Sequence, residues 1–154
     1  MINTKLISHR GNIIGKNPDR ENSPEYINEA VGKGFDVEID IRSINGHFYL
    51  GHDNPDHFVN INFLESFKDY LWIHCKNIDA LSILKTDYHC FYHNVDDVTL
   101  TSRGYLWTYP GKELGKDSIC VMPEMSKQSN EYIFKNCAGI CSDTISIYKS
   151  LKTS

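Results

Sequence analysis

Residues 35–42 read Phe-Asp-Val-Glu-Ile-Asp-Ile-Arg, a run in which apolar and charged side chains alternate. Successive side chains of a β-strand point to opposite faces, so the stretch has one aliphatic and one charged face. The aliphatic face carries Val37, Ile39 and Ile41. In a parallel barrel that face packs against helices, and Glu38 and Asp40 then point into the interior. Buried carboxylates are unfavourable unless they are paired or bind a cation, so the pattern indicates a cation site or, alternatively, the solvated face of an edge strand.

A second strand-like segment, residues 71–76, repeats the alternation. His74 and Lys76 share the face opposite to its aliphatic residues, so they would project into the same cavity. Two consecutive strands with polar inner faces favour a functional site over a solvated edge. The two carboxylates, Glu38 and Asp40, would offer adjacent oxygen ligands of the kind that Mg²⁺ and Ca²⁺ prefer.

Short apolar runs alternate with amphipathic segments along the whole chain. Strands are expected at residues 6–9, 35–42, 47–50, 71–76, 89–93, 105–109, 119–124 and 139–143. Helices are expected at residues 24–31, 63–70, 78–84, 96–102 and 130–135. Ser23 would cap the first helix, and Asn45-Gly46 would form a hairpin turn.

Strands joined by helical crossovers pair in parallel, which predicts an α/β fold. The expected architecture is a single domain, residues 1–154, forming a small or trimmed TIM-type (β/α) barrel of about seven to eight mainly parallel strands. A full barrel usually takes about 250 residues, so the crossovers must be short or one unit must be missing.

Composition excludes several classes of protein. About 40% of the residues are hydrophobic and 23% are charged, and the net charge of −4 gives no footprint for nucleic acid. No run approaches the roughly 18 apolar residues of a membrane span. The five cysteines form no CxxC pair, so we expect buried core thiols rather than disulfides. We therefore expect a cytoplasmic protein without a nucleic-acid partner or a membrane span, and of unknown oligomeric state.

Histidines and an arginine stand where barrel enzymes place their chemistry. His9 and Arg10 end the first strand, and His52 follows the hairpin. Catalytic residues in barrels lie at the carboxyl ends of strands. Two histidines can divide general-base and general-acid work near neutral pH, and an arginine offers a planar fork for phosphate oxygens. Glu124 and Asp143 also end strands, and we expect them to be polar rim residues or, alternatively, an extra ligand or a substrate contact.

Four short motifs resemble, in order and spacing, the signatures of glycerophosphodiester phosphodiesterases, which are PLC-like phosphodiesterases on a TIM barrel. The motifs are His9-Arg10-Gly11, Glu21-Asn22-Ser23, Glu38-Ile39-Asp40 and Gly51-His52-Asp53. Weaker similarities continue at residues 73–76, 106–108 and 139–143. The resemblance implies a metal-dependent phosphodiester hydrolase whose substrate is a glycerophosphodiester-like or other small alcohol or sugar phosphodiester.

The resemblance also implies roles for individual residues. His9 and His52 would be the catalytic acid–base pair, and Arg10 would take part with them. Arg10 and Lys76 would bind the phosphate, and Glu38 and Asp40 would bind the metal. Trp107 would form an apolar wall or occupy a core position. Glu21 and Asp53 would support the other residues of the site.

Two features depart from the pattern of the family. His74 stands where the family has a third metal carboxylate, so Mn²⁺ or Zn²⁺ becomes possible beside Mg²⁺ or Ca²⁺. The interval between His52 and His74 lacks the usual large insertion, which implies an open mouth. Two alternatives stay open: a lyase that releases a cyclic phosphate, and a non-catalytic barrel that binds a phosphorylated ligand.

Overall fold

The computed structural model describes residues 3–154 and forms ten strands, five α-helices and one 3-10 turn within them. Strands β1 to β10 are Lys5–His9, Asp36–Ile44, His47–Leu50, His57–Val59, Leu71–Cys75, Cys90–Phe91, Val98–Leu100, Leu106–Thr108, Ser118–Val121 and Gly139–Ser142. Helices α1 to α5 are Pro24–Gly32, Ile61–Phe67, Ile78–Leu84, Asn130–Asn136 and Ile145–Thr153, and the 3-10 turn is Pro123–Met125. None of the helices in this part of the chain has both the length and the apolar character that a membrane crossing requires.

Parallel ladders connect the strands in the order β8–β9–β10–β1–β2–β5–β6. Antiparallel pairs add β7 to β8, β3 to the second half of β2, and β4 to β3. The sheet curls strongly. Strands β6 and β8 are far apart in the sheet order, yet the rings of Phe91 in β6 and Trp107 in β8 lie only 4.5 Å apart. The α/β class is thus confirmed.

The expected small or trimmed TIM-type barrel is present only in part. The curled sheet is a half-barrel of mixed parallel and antiparallel strands, and no ladder within residues 3–154 joins β6 to β7 or β8. Residues 96–102, expected to be helical, instead contain the antiparallel strand β7. Between the two edges, Ser102 N donates a backbone hydrogen bond to Cys90 O at 2.8 Å, and side-chain hydrogen bonds such as the one from Thr99 Oγ1 to Tyr92 O at 3.1 Å add to it. Strand β7 stands where a helical crossover was expected and pairs with β8 in antiparallel orientation. The series of parallel ladders is therefore interrupted between β6 and β8.

Two apolar layers fix the sheet. Outside it, the aliphatic face of β2 is fully buried against the helices, as predicted. Each of those aliphatic side chains contributes roughly 1.5–3 kcal/mol when buried. Inside the curl a smaller cluster contains Ile7, Trp72, Phe91, Trp107, Ile119 and Cys141. This inner cluster fills part of the interior of the half-barrel. The charged residues of the interior line a cavity next to it, and Trp107 belongs to both.

Local signals in the sequence placed most elements. The Ser23 hydroxyl accepts a hydrogen bond from Tyr26 N and caps α1, as predicted. Asn45 and Gly46 both adopt positive φ, at 51° and 79°, which is the geometry of the predicted hairpin turn. Strand β4 and helix α5 were not expected. All five cysteines are free and buried, which confirms the core interpretation.

Candidate metal and catalytic site

A cavity of about 390 Å³ collects the charged residues that end the parallel strands. Seven of the predicted site residues line it: His9, Arg10, Glu38, His52, His74, Lys76 and Trp107. Of the other three, Asp40 and Glu21 lie beside it and contact Arg10. Asp53 contacts His52. The structure therefore brings the predicted residues together from strands that are distant in sequence.

Glu38, Asp40 and His74 form the one cluster in residues 3–154 that could hold a metal ion by the spacing of its ligand atoms. One ligand atom from each lies within 4.8 Å of the others. The cluster arises from register, because Asp40 on β2 is directly opposite His74 on the parallel strand β5. His74 Nδ1 lies 3.3 Å from Asp40 Oδ1 and 4.0 Å from Glu38 Oε1.

Unused ligand atoms show that this cluster fits a divalent cation. Glu38 Oε2 and Asp40 Oδ1 are buried and accept no hydrogen bond from any residue in the described range. His74 Nε2 lies 3.4 Å from the His93 carbonyl oxygen, so it can donate its proton there and leave the Nδ1 lone pair towards the carboxylates. Burial and the nearby charge of Asp40 raise the pKa of Glu38 to about 7, and a cation bound between the two carboxylates would offset their repulsion.

Asp40 is fully buried and is the most heavily contacted carboxylate of the site. Asn22 Nδ2 donates to Asp40 Oδ2 at 2.9 Å, and Asp40 N donates to Asn22 Oδ1 at the same distance. Arg10 Nε lies 3.0 Å from Asp40 Oδ2. Burial opposes ionisation of Asp40, but the neighbouring His74 imidazole and the charge of Arg10 outweigh it and hold the pKa of Asp40 below its usual range. Asp40 is therefore anionic and ready to bind a cation.

Arg10 has its guanidinium fixed by two carboxylates. Besides Asp40, it contacts Glu21 through Nη1 and Oε1 at 3.1 Å. Its backbone adopts a positive φ of 59°, and Gly11 follows with a φ of 95°. This tight turn redirects the chain at the end of β1 and leaves Arg10 on the cavity wall.

His9 is held in place by the last strand. Its Nδ1 donates a hydrogen bond to Asp143 Oδ1 at 2.7 Å, and Asn12 Nδ2 donates to the same oxygen at 2.8 Å. The other ring nitrogen, Nε2, lies 3.7 Å from Glu38 Oε2. Burial alone would lower the pKa of His9, but the hydrogen bond to Asp143 and the charge of Glu38 outweigh it and raise the pKa.

Sequence reasoning missed the part that Asp143 plays. It was expected to be a rim residue, whereas the structure makes it the hydrogen-bond partner of His9. Glu124 Oε1 supports this strand end, accepting from Asp143 N at 3.2 Å and from the Ser142 hydroxyl at 2.8 Å. The available signal was that β10 and β1 both end in polar residues, and pairing of those strands places the ends side by side.

His52 reaches the cavity from the loop that follows β3. Its Nδ1 donates to Asp53 Oδ1 at 2.7 Å, which orients the ring. Arg42 fixes the backbone of this loop by donating to the carbonyl oxygens of Gly51 and His52, both at 3.0 Å. Burial and the positive charge of Arg10 lower the pKa of His52.

Gly51 should be essential for this loop. Its φ is 144°, and a Cβ at this position would overlap the carbonyl oxygen of Asn54. We expect Gly51→Ala to lower the free energy of unfolding by about 3 kcal/mol, as measured by urea denaturation. The control is Gly104→Ala, where φ is 85° but a Cβ meets nothing within 4 Å, so the expected loss is about 1 kcal/mol. Equal losses in the two variants would contradict the clash at Gly51.

Lys76 and Trp107 complete the cavity on opposite sides. Lys76 Nζ lies 4.0 Å from Asp40 Oδ1, so the ammonium group stands next to the metal cluster. Trp107 is only 4% exposed and packs on Phe91, so it is a core residue that also lines the cavity.

No protein-family model, curated protein or solved structure matches the chain.

Proposed function

We propose that the chain is a metal-dependent phosphodiester hydrolase that acts on a glycerophosphodiester-like or other small alcohol or sugar phosphodiester. One observation carries the proposal: the buried Glu–Asp–His cluster lies at a cavity that is also lined by two cationic side chains and by His9 and His52. The two cationic side chains complement the negative charge of a phosphodiester. The two histidines can carry out the two proton transfers that its cleavage requires.

Glu38, Asp40 and His74 would hold the divalent cation. A cation bound there supplies a Lewis acid for a phosphoryl oxygen and offsets the charge that builds on phosphorus. Two oxygens and one imidazole nitrogen suit Mn²⁺ or Zn²⁺ as well as Mg²⁺.

The two histidines divide the proton transfers between them. His9 and His52 each have Nδ1 engaged by a carboxylate, which leaves Nε2 of each ring for the substrate. One of them takes the proton from the attacking hydroxyl, and the other gives a proton to the departing alkoxide. Arg10 and Lys76 bind the non-bridging phosphate oxygens and stabilise their negative charge as the bond to the leaving alcohol breaks.

Asp143 acts on this reaction as a positioning residue for His9. We expect Asp143→Asn to lower kcat by about 100-fold, because an amide does not hold the imidazole in the tautomer with Nε2 free. KM and metal affinity should stay close to wild type, and Asp143→Glu should restore part of the rate. Steady-state kinetics and metal titration of the three proteins check this. A parallel fall of metal affinity would indicate a structural role instead.

The half-barrel supports the same proposal. We propose that it is a trimmed form of the barrel found in PLC-like phosphodiesterases, with β7 in place of a β/α unit. We also propose that the enzyme acts in the cytoplasm, since five free cysteines suit a reducing compartment. The net charge of −4 favours a small phosphodiester over nucleic acid.

Phosphorus NMR of the products tests the proposal. The protein is incubated with glycerophosphocholine and with bis(p-nitrophenyl) phosphate in the presence of Mg²⁺, Ca²⁺, Mn²⁺ or Zn²⁺. Appearance of a phosphomonoester supports a hydrolase, and accumulation of a cyclic phosphate from glycerophosphocholine supports a lyase. Unchanged substrate under every condition, with saturable binding of the diester, would overturn the enzyme in favour of a binding barrel.

A further inference from the structure

The cavity has two chemically different walls. Strands β1, β2 and β5, which are neighbours in the sheet, and the residues directly after them supply His9, Arg10, Glu38, His74 and Lys76, and His52 joins this wall from the loop after β3. Strands β8 and β9 and the segments after them supply the other wall. That second wall consists of Trp107, Tyr109, Pro110, Val121, Met122 and Met125. The curl of the sheet makes the apolar wall face the charged one.

The apolar wall offers no charged side chain to a ligand. Met125 is 71% exposed at the mouth, and Tyr109 is 37% exposed. A contiguous group of exposed apolar side chains beside a polar cavity is typical of a ligand-binding surface. Methionine side chains are unbranched and polarisable, so they adapt to apolar groups of varied shape.

The size of the cavity leaves space beyond a phosphate group. About 390 Å³ lies within the range of pockets that bind organic ligands of moderate size. Phosphate oxygens held by Arg10 and Lys76 would occupy the charged side only. The remaining volume is bounded by the apolar wall, so the group attached to the phosphate has to fill it.

We infer that the substrate is a phosphodiester in which one ester carries an apolar alcohol, of the alkyl or aryl type, seated against Tyr109, Met122 and Met125. This inference rests on the proposed function and narrows its substrate class. Cleavage breaks the P–O bond to that alcohol, which leaves as the free alcohol with a proton from a histidine. The new P–O bond forms to a substrate hydroxyl or to water, whose proton goes to the other histidine.

A homologous series of esters tests the inference. The substrates are glycerol 3-phosphate esters of methanol, butanol, hexanol and octanol, together with glycerophosphocholine as a polar member. We expect kcat/KM to rise about fourfold for each methylene until the cavity is filled, or about 60-fold from the methyl to the butyl ester. Glycerophosphocholine should be a poorer substrate than the hexyl ester.

Variants of the apolar wall locate the effect. Met125→Ser and Met122→Asn are chosen because Met125 is exposed and because asparagine tolerates the positive φ of 48° at Met122. In each we expect the hexyl-to-methyl ratio of kcat/KM to fall about fivefold. The control is Ile147→Ser on α5, which is 55% exposed and lies outside the cavity; its ratio should match wild type.

The outcomes separate this inference from the proposed function. Cleavage of every ester with no dependence on chain length would overturn the inference and leave the phosphodiesterase standing. If no ester is cleaved with any metal, the proposed function fails, and calorimetric binding of the hexyl and methyl esters decides the inference. Tighter binding of the hexyl ester that is lost in Met125→Ser supports it, and equal or absent binding of both esters overturns it.

Discussion

Replacement of His9 or His52 by alanine is expected to lower kcat for phosphodiester cleavage by about 10³-fold while the protein stays folded. Each variant removes one of the two groups that move protons in the proposed reaction. The fold should survive because neither ring belongs to the apolar core. Asp143 keeps its bond from Asn12 when His9 is gone, and Asp53 is solvent-exposed when His52 is gone. Steady-state kinetics and circular dichroism measure the two effects.

A matched histidine shows whether the loss is specific. His47 is exposed on β3 and does not line the cavity, so His47→Ala should keep the wild-type rate. Because the two catalytic histidines act in one reaction, the double variant His9→Ala/His52→Ala should lose little more than either single variant. Turnover near wild type in either single variant would remove that residue from the catalytic pair.

Removal of the metal is expected to lower kcat by more than about 100-fold, and addition of Mg²⁺, Mn²⁺ or Zn²⁺ should restore it. Glu38→Gln should show the same loss without chelation, because the amide takes away one anionic ligand. A cation that binds the folded state also stabilises it, by about 2.7 kcal/mol at 100 times its Kd. Wild type should therefore melt at a higher temperature with metal, and Glu38→Gln should not.

The metal-free proteins give a second readout in the opposite direction. Glu38 and Asp40 are buried carboxylates a few ångströms apart, so they repel each other without a cation. Metal-free Glu38→Gln should consequently be at least as stable as metal-free wild type. Asp69→Asn, a change at an exposed carboxylate, is the control and should alter neither melting nor rate. Full activity of wild type after rigorous chelation would exclude the metal role.

Alternation along two strands was enough to predict much of the fold and the proximity of Glu38, Asp40 and His74. The charged face of residues 36–42 and the similar face of residues 71–76 placed Glu38, Asp40 and His74 in one interior. The prediction worked because period-two patterning is local and depends on burial. The prediction of a helix at residues 96–102 was wrong because the strand Val98–Leu100 is short. Its pairing depends on β8, which follows later in the chain.

Contacts between distant segments were the part of the site that could not be predicted. His9 and Asp143 are 134 residues apart and meet only because β1 pairs with β10. Asn22 was noticed only as part of a motif, and its two hydrogen bonds to Asp40 follow from a loop with a positive φ of 63°. Neither contact leaves a periodic signal, so each required the tertiary structure.

The rate of glycerophosphodiester cleavage by chelator-treated protein, before and after return of each divalent metal, tests the central claim most directly. The assay is run beside His9→Ala/His52→Ala prepared in the same way, so that a contaminating phosphodiesterase is recognised. The structure predicts turnover that depends on metal in the wild type and is lost in the double variant. Turnover that is independent of metal, or equal in the two proteins, would contradict the assignment of this cavity as a metal-dependent phosphodiesterase site.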